Sequence, residues 1–181
     1  MGGCVGQKRT EIMTKFTSGR TNTDTGCIIG VDFAVHCVDI PENNESAILQ
    51  IWDIGEDERF RSLIPCFCQG ASGALLFFDQ QDSKSLLKLE EWITVIRNHT
   101  NQIPLILSGI HCGENIQINK DEIVDFVTKF KLHDCFEVDV ENGCNIEESF
   151  EALTKIMIKQ WPAMTTNSSN RVESLLTNQL Y

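Results

Sequence analysis

A chain of 181 residues, 41% hydrophobic and 23% charged, has the size and balance of one globular domain with a sizeable core. Its 15 basic and 26 acidic residues leave a net charge of −11, which argues against non-specific nucleic-acid binding and against an anionic membrane face. It has no apolar run of membrane-spanning length and no secretory h-region, so the eight cysteines, with no C-x-x-C pair, read as reduced thiols of a cytoplasmic protein.

The start, MGGCVG, carries Gly2 and Cys4, but Gly6 stands where the acylation pattern wants Ser or Thr. From residue 31 strands and helices alternate. VDFAVHCVDI (31–40) puts Val31, Phe33, Val35 and Cys37 on one face at period two. PENNES (41–46) is a turn cluster and AILQIWDI (47–54) a return strand, so residues 31–54 read as a hairpin. ALLFF (74–78) and IPLIL (103–107) are short continuous apolar runs, which suit buried parallel strands. CFEVDV (135–140) is a weaker last strand.

Three apolar stripes at helical spacing fill the gaps. They are Leu86, Leu89, Ile93 and Ile96; then Ile123, Phe126, Val127 and Phe130; then Ile146, Phe150, Leu153 and Met157. The second is entered through Asn119 with Glu122 three residues on, and the third through Asn145 with Glu148, both reading as capping boxes. The pattern predicts an α/β fold: a doubly wound, mostly parallel sheet with helices on both faces and one antiparallel edge hairpin. The predicted domain covers residues 1–161, and residues 162–181 read as a polar, flexible tail.

With the hairpin, IGVDF (29–33), WDIGEDERFRSLIP (52–65), GASGALLFFD (70–79) and NGCNIEESFEAL (142–153) in order, the chain resembles small GTPases of the Ras superfamily, most closely the Rab branch. The resemblance implies a P-loop fold and a nucleotide site, and each of its parts can be checked against the residues present.

The phosphate-loop pattern is G-x-x-x-x-G-K-[ST], in which backbone N–H groups wrap phosphate and the hydroxyl ligates Mg²⁺. Its counterpart is GCVGQKRT (3–10): Gly3 and Thr10 match, Lys8 replaces the second Gly and Arg9 the Lys. A plain basic helix start is the competing reading. In the first switch Ile28 replaces the Thr that closes on Mg²⁺, and an alkyl group cannot ligate a hard cation. In the second switch Asp53 is kept and could hold Mg²⁺ with Thr10, while Glu56 replaces the γ-phosphate Gly. A carboxylate near phosphate costs about 4 kcal/mol at ~4 Å and an effective dielectric of ~20. Asp57 stands at the water-positioning place, the sole catalytic candidate. The guanine-reading N-K-x-D is replaced by Ile110, His111, Cys112 and Gly113, and the later S-A-K by Asp139, Val140 and Glu141.

The resemblance also implies a partner-facing aromatic patch at Phe33, Trp52 and Phe67, with core packing as the alternative reading for Phe33 and Trp52. Family members carry a central strand directly before the phosphate loop; here only two residues precede Gly3, which reads as a truncated or misplaced start that would leave neighbouring strand edges open.

The resulting expectation is a Rab-like pseudoGTPase: a monomeric protein-interaction module with no prenyl Cys at its end and no nucleic-acid partner. The alternative is an atypical GTP-binding and GTP-hydrolysing switch that uses Arg9, Thr10 and Asp53 with GTP or GDP and Mg²⁺. A third reading is a truncated product without stable function.

Overall fold

The computed structural model describes residues 4–18, 31–41, 45–54, 62–111, 116–160 and 170–178. The first element is a helix, α1 (Cys4–Ser18). The expected hairpin follows as β1 (Val31–Ile40) and β2 (Glu45–Ile54), antiparallel in continuous register from Val31 opposite Ile54 to Ile40 opposite Glu45. Period two is present, but the apolar row named from the sequence faces outward. Phe33 and Val35 are 46% and 55% exposed and Cys37 is exposed, whereas Val38 and Ile40 are buried. β1 is one of the two edge strands of the sheet, and β2 supplies the core residues Ala47, Leu49 and Ile51.

After the short helix α2 (Ile64–Cys68) the chain alternates regularly: β3 (Gly73–Asp79), α3 (Ser85–His99), β4 (Leu105–His111), α4 (Lys120–Phe130), β5 (Asp134–Asp139) and α5 (Ile146–Gln160). Every residue of Gly73–Phe78 and Leu105–Ile110 is buried. Successive strand side chains point to opposite faces, so both faces of the sheet are covered here, as the continuous apolar runs required. β3 pairs parallel with β4, and β4 with β5.

The helical stripes face the core as read. Leu86, Leu89, Ile93 and Ile96 are buried, as are Ile146, Phe150, Leu153 and Met157, while in α4 Ile123 and Phe126 are buried and Val127 and Phe130 partly so. Each fully buried Leu, Ile or Phe contributes roughly 1.5–3 kcal/mol. Asn119 caps α4 as expected: its Oδ1 accepts the Glu122 N–H at 2.9 Å and its Nδ2 donates to Glu122 Oε1 at 2.8 Å. Asn145 differs. Its side chain donates to the Glu137 carbonyl (2.7 Å) and its φ is +60°, so it ties α5 to β5 rather than closing a capping box with Glu148. An Asn tolerates that left-handed backbone better than most residues.

α1 docks through Ile12, Met13 and Phe16; the Phe16 ring stacks on Phe150 of α5 with centroids 3.8 Å apart. α5 in turn lies so close to β3 that a Cβ at Gly73 would meet Met157 Sδ at 2.6 Å.

The largest departure from expectation is at the C-terminal end. Residues 162–181 read as a loose polar tail, but Asn170–Asn178 form a strand, β6. The sheet order is β1-β2-β6-β3-β4-β5. β6 runs parallel to β2, from Asn170 opposite Ser46 to Asn178 opposite Ile54, and parallel to β3 at Gly73–Leu75. The place assigned by resemblance to a strand before the phosphate loop is therefore held by β6, and the expected open edges of β2 and β3 are closed. Side-chain periodicity could not forecast this, because strand pairing satisfies backbone N–H and C=O groups, which every non-proline residue carries.

Candidate functional site

Of the residues expected to hold phosphate and Mg²⁺, Arg9 and Asp53 meet where α1 reaches the end of β2. α1 is already helical from Cys4, so the counterpart of the phosphate loop adopts the helical alternative over Cys4–Thr10; Gly3 lies outside the described residues. Helix geometry turns Arg9 inward with Ile12, Met13 and Phe16, at spacings of three and four residues. There the Arg9 guanidinium forms an ion pair with Asp53 at 2.7 Å, with side chains 0% and 3% exposed, and Nη1 also donates to the Ile54 carbonyl at 3.1 Å. Thr10 is buried beside this pair in sequence, and its carbonyl accepts the Thr14 hydroxyl at 2.9 Å. The two charges are thus placed against each other in the interior, where each compensates the burial of the other.

A second contact ties α1 to the segment that replaces S-A-K. Lys15 Nζ donates to the Val140 carbonyl and, at 3.3 Å, to that of Glu141, and Lys8 forms an ion pair with Glu141 at 3.4 Å. The turn is pinned from inside by Asp139, whose carboxylate accepts from the N–H groups of Glu141 (2.9 Å) and Asn142 (3.1 Å) and from Asn142 Nδ2 (2.6 Å). Those hydrogen bonds, the Asn142 side chain first, hold the Asp139 carboxyl below the usual carboxylate range.

The three aromatics come together. The rings of Phe33 and Trp52 lie 4.7 Å apart and those of Trp52 and Phe67 5.3 Å apart, all tilted, within the range of favourable aromatic pairs. Cross-strand register puts Phe33 directly opposite Trp52, and α2 brings Phe67 against Trp52. Phe33 is exposed and the other two are half-buried, so the cluster is a surface feature at the rim of the core rather than part of its interior.

The sequence model of the Ras family matches residues 2–159. The chain belongs to the Ras family. Ras-related protein Rab-8 of Diplobatis ommata is 29% identical over 174 residues, spanning 92% of this chain and 80% of that protein. Rab-8B of Homo sapiens is 28% identical over 175 residues (92% and 81%), and Rab-27A of Homo sapiens 28% over 170 residues (87% and 76%). The Rab-like part of the resemblance therefore agrees with its relatives.

Within this Ras-family chain, Ile28, Glu56, Asp57, Cys112 and Gly113 lie outside the described residues. Ile110 is buried at the end of β4 and His111 is half-buried beside it. Among the described residues no group of His, Cys, Asp and Glu is arranged to hold a metal ion, and no helix is long and apolar enough to cross a membrane. Burial pushes the Cys68 and Cys135 thiols up to about 11, the latter helped by Asp134 and Glu137, so neither is a ready nucleophile. Sequence reasoning placed Arg9 and Asp53 in one site as separate ligands and missed that they pair. The available signal was the helical spacing of Arg9 with Ile12, Met13 and Phe16. The Lys15 contact with Val140 had no sequence signal, since it joins residues 125 positions apart.

Proposed function

We propose that this Ras-family protein is a pseudoGTPase: a monomeric, cytoplasmic protein-interaction module built on a Rab-like scaffold, with no GTP cycle. The observation that carries the proposal is the buried Arg9–Asp53 ion pair at 2.7 Å. Arg9 stands where a Lys would meet phosphate, and Asp53 where a carboxylate would hold Mg²⁺. As placed, each is the counter-ion of the other, and the backbone that would have to wrap phosphate is helical from Cys4. These residues do not fit a nucleotide–Mg²⁺ complex, because accepting one means breaking a buried pair and unwinding a helix start. At the other end of the site, Lys8 and Lys15 hold the Val140–Glu141 segment against α1.

The partner-facing element in this reading is the Phe33–Trp52–Phe67 cluster. An exposed Phe33 backed by the half-buried Trp52 and Phe67 rings makes a good anchor, since little side-chain freedom is lost on binding. Phe33→Ser is expected to leave the fold intact and weaken partner capture.

The deciding experiment is nucleotide content after gentle purification, with thermal shift in GTP or GDP plus Mg²⁺. The proposal expects no bound nucleotide and no shift. A GTP-specific shift would refute it, and loss of that shift in a folded Thr10→Ala variant would establish the atypical switch instead.

A further inference from the structure

An open strand edge is a binding site for any extended chain that can reach it, because its unpaired N–H and C=O groups are there irrespective of sequence. Two edges that would be open without β6 face each other across the width of one strand in this sheet: Ser46–Ile54 of β2 and Gly73–Leu75 of β3, both paired with it. Each wall has its own support. β2 is zipped to β1 along its whole length. β3 is paired with β4 from Ala74 to Asp79, and α5 presses on its start, with Met157 and Leu153 against Gly73. The strand between them comes from elsewhere in the chain, joined to α5 through residues 161–169.

We propose that the cleft between β2 and β3 is a strand-accepting binding site, of which Asn170–Asn178 is the resident ligand. The ligand class is an extended peptide running parallel to β2, and the occupant is this C-terminal segment, tethered or supplied as a separate peptide. Recognition centres on Leu175–Thr177, the stretch in register with both walls: with Ile51, Trp52 and Asp53 on one side and with Gly73, Ala74 and Leu75 on the other. The occupant therefore adjoins the part of β2 that carries the Arg9–Asp53 pair and the Phe33–Trp52 contact. The proposal holds whether or not a nucleotide binds.

The tether gives the resident strand an effective concentration of order mM, so a free peptide at about 100 µM does not displace it from the unmodified chain. In the full-length Leu175→Pro variant a ladder N–H is removed at the centre of the strand. Without peptide, amide protection over Ala47–Ile54 and Gly73–Leu75 is expected to fall while that of β4 and β5 persists. A fluorescent synthetic peptide of residues 168–181 is then expected to bind the variant and restore protection, and a scrambled peptide is not. Native protection in both stretches of the variant without peptide, or equal binding of the scrambled peptide, overturns the proposal. Should Leu175→Pro fail to fold, cysteine pairs in the otherwise unchanged full chain decide. Gln50→Cys/Ser174→Cys, opposite one another in register, is expected to join within one chain through a short thiol cross-linker, located by peptide mass mapping. Absence of that link, while the control Val35→Cys/Gln50→Cys across β1 and β2 does join, overturns it equally.

Discussion

Replacing Arg9 by Met removes the guanidinium from Asp53 and keeps most of the side-chain volume that α1 presents to the core. At 2.7 Å the pair is worth about 6 kcal/mol of attraction at an effective dielectric of ~20, set against a desolvation cost of several kcal/mol for each ion. The pair as a whole therefore stabilises the fold only modestly. Removing one member is different, because the other keeps its desolvation cost and loses its partner: about 3–5 kcal/mol is expected for Arg9→Met, and similarly for Asp53→Leu. Against a total of roughly 5–15 kcal/mol for a natural domain, either change brings the protein near unfolding. The double variant Arg9→Met/Asp53→Leu is expected to recover about 2–3 kcal/mol or more relative to the sum of the two. Urea unfolding followed by tryptophan fluorescence, with linear extrapolation, reads all three. Single effects below about 1 kcal/mol that add within ~0.5 kcal/mol would refute the reasoning, since they would mean that the two charges are solvated separately and free to serve a ligand.

Three further outcomes are expected. Gly109→Ala places a Cβ 2.7 Å from Phe78 Cζ, a fully buried ring with no room to give, so about 1–3 kcal/mol of overpacking should appear in the same urea assay. Asn119→Ala removes the N-cap of α4 and should cost about 1 kcal/mol, whereas Asn145→Ala should leave the α5 amides capped as before while loosening the end of β5, which amide exchange distinguishes. The His133 imidazole, whose Nδ1 accepts the Leu105 N–H at 3.3 Å, has its pKa lowered by burial and then by the Arg97 charge. The folded state therefore binds this proton less readily than the unfolded chain. The stability it contributes is complete above the unfolded value near 6.5 and is lost as pH falls toward the folded pKa. An NMR titration of His133 with its midpoint above 6.5 would contradict this.

The alternation from β3 to α5, the edge hairpin, the buried parallel strands and the three helical stripes were legible in the chain, because each is a local pattern, whereas α2 and β6 were not. Alternation marks a strand with two unlike faces, a continuous apolar run marks one buried on both, and a stripe at helical spacing marks a helix with one core side. The Asn119 cap was legible for the same reason, since both partners lie within four residues. Asn145 had the same local signature and took another partner, Glu137, which only the approach of β5 to α5 supplies.

Residue types were likewise enough to bring Phe33, Trp52 and Phe67 into one cluster through the family resemblance. Which face of β1 meets the core was not contained in its period, because both faces of VDFAVHCVDI carry apolar residues and the packing against the rest of the sheet makes the choice. By itself the sequence determined the Ras-family frame and the chemical identity of each residue at the expected nucleotide site. Tertiary structure decided what those residues do there: Arg9 and Asp53, 44 positions apart, are paired because α1, packed on α5, β3 and β1, carries Arg9 to the end of β2 and both charges are buried. It also decided the middle of the sheet, where the backbone of a polar segment completes the ladder between β2 and β3. Both outcomes depend on groups that no local pattern advertises, a charge that needs a distant counter-charge and a strand edge that needs any strand at all.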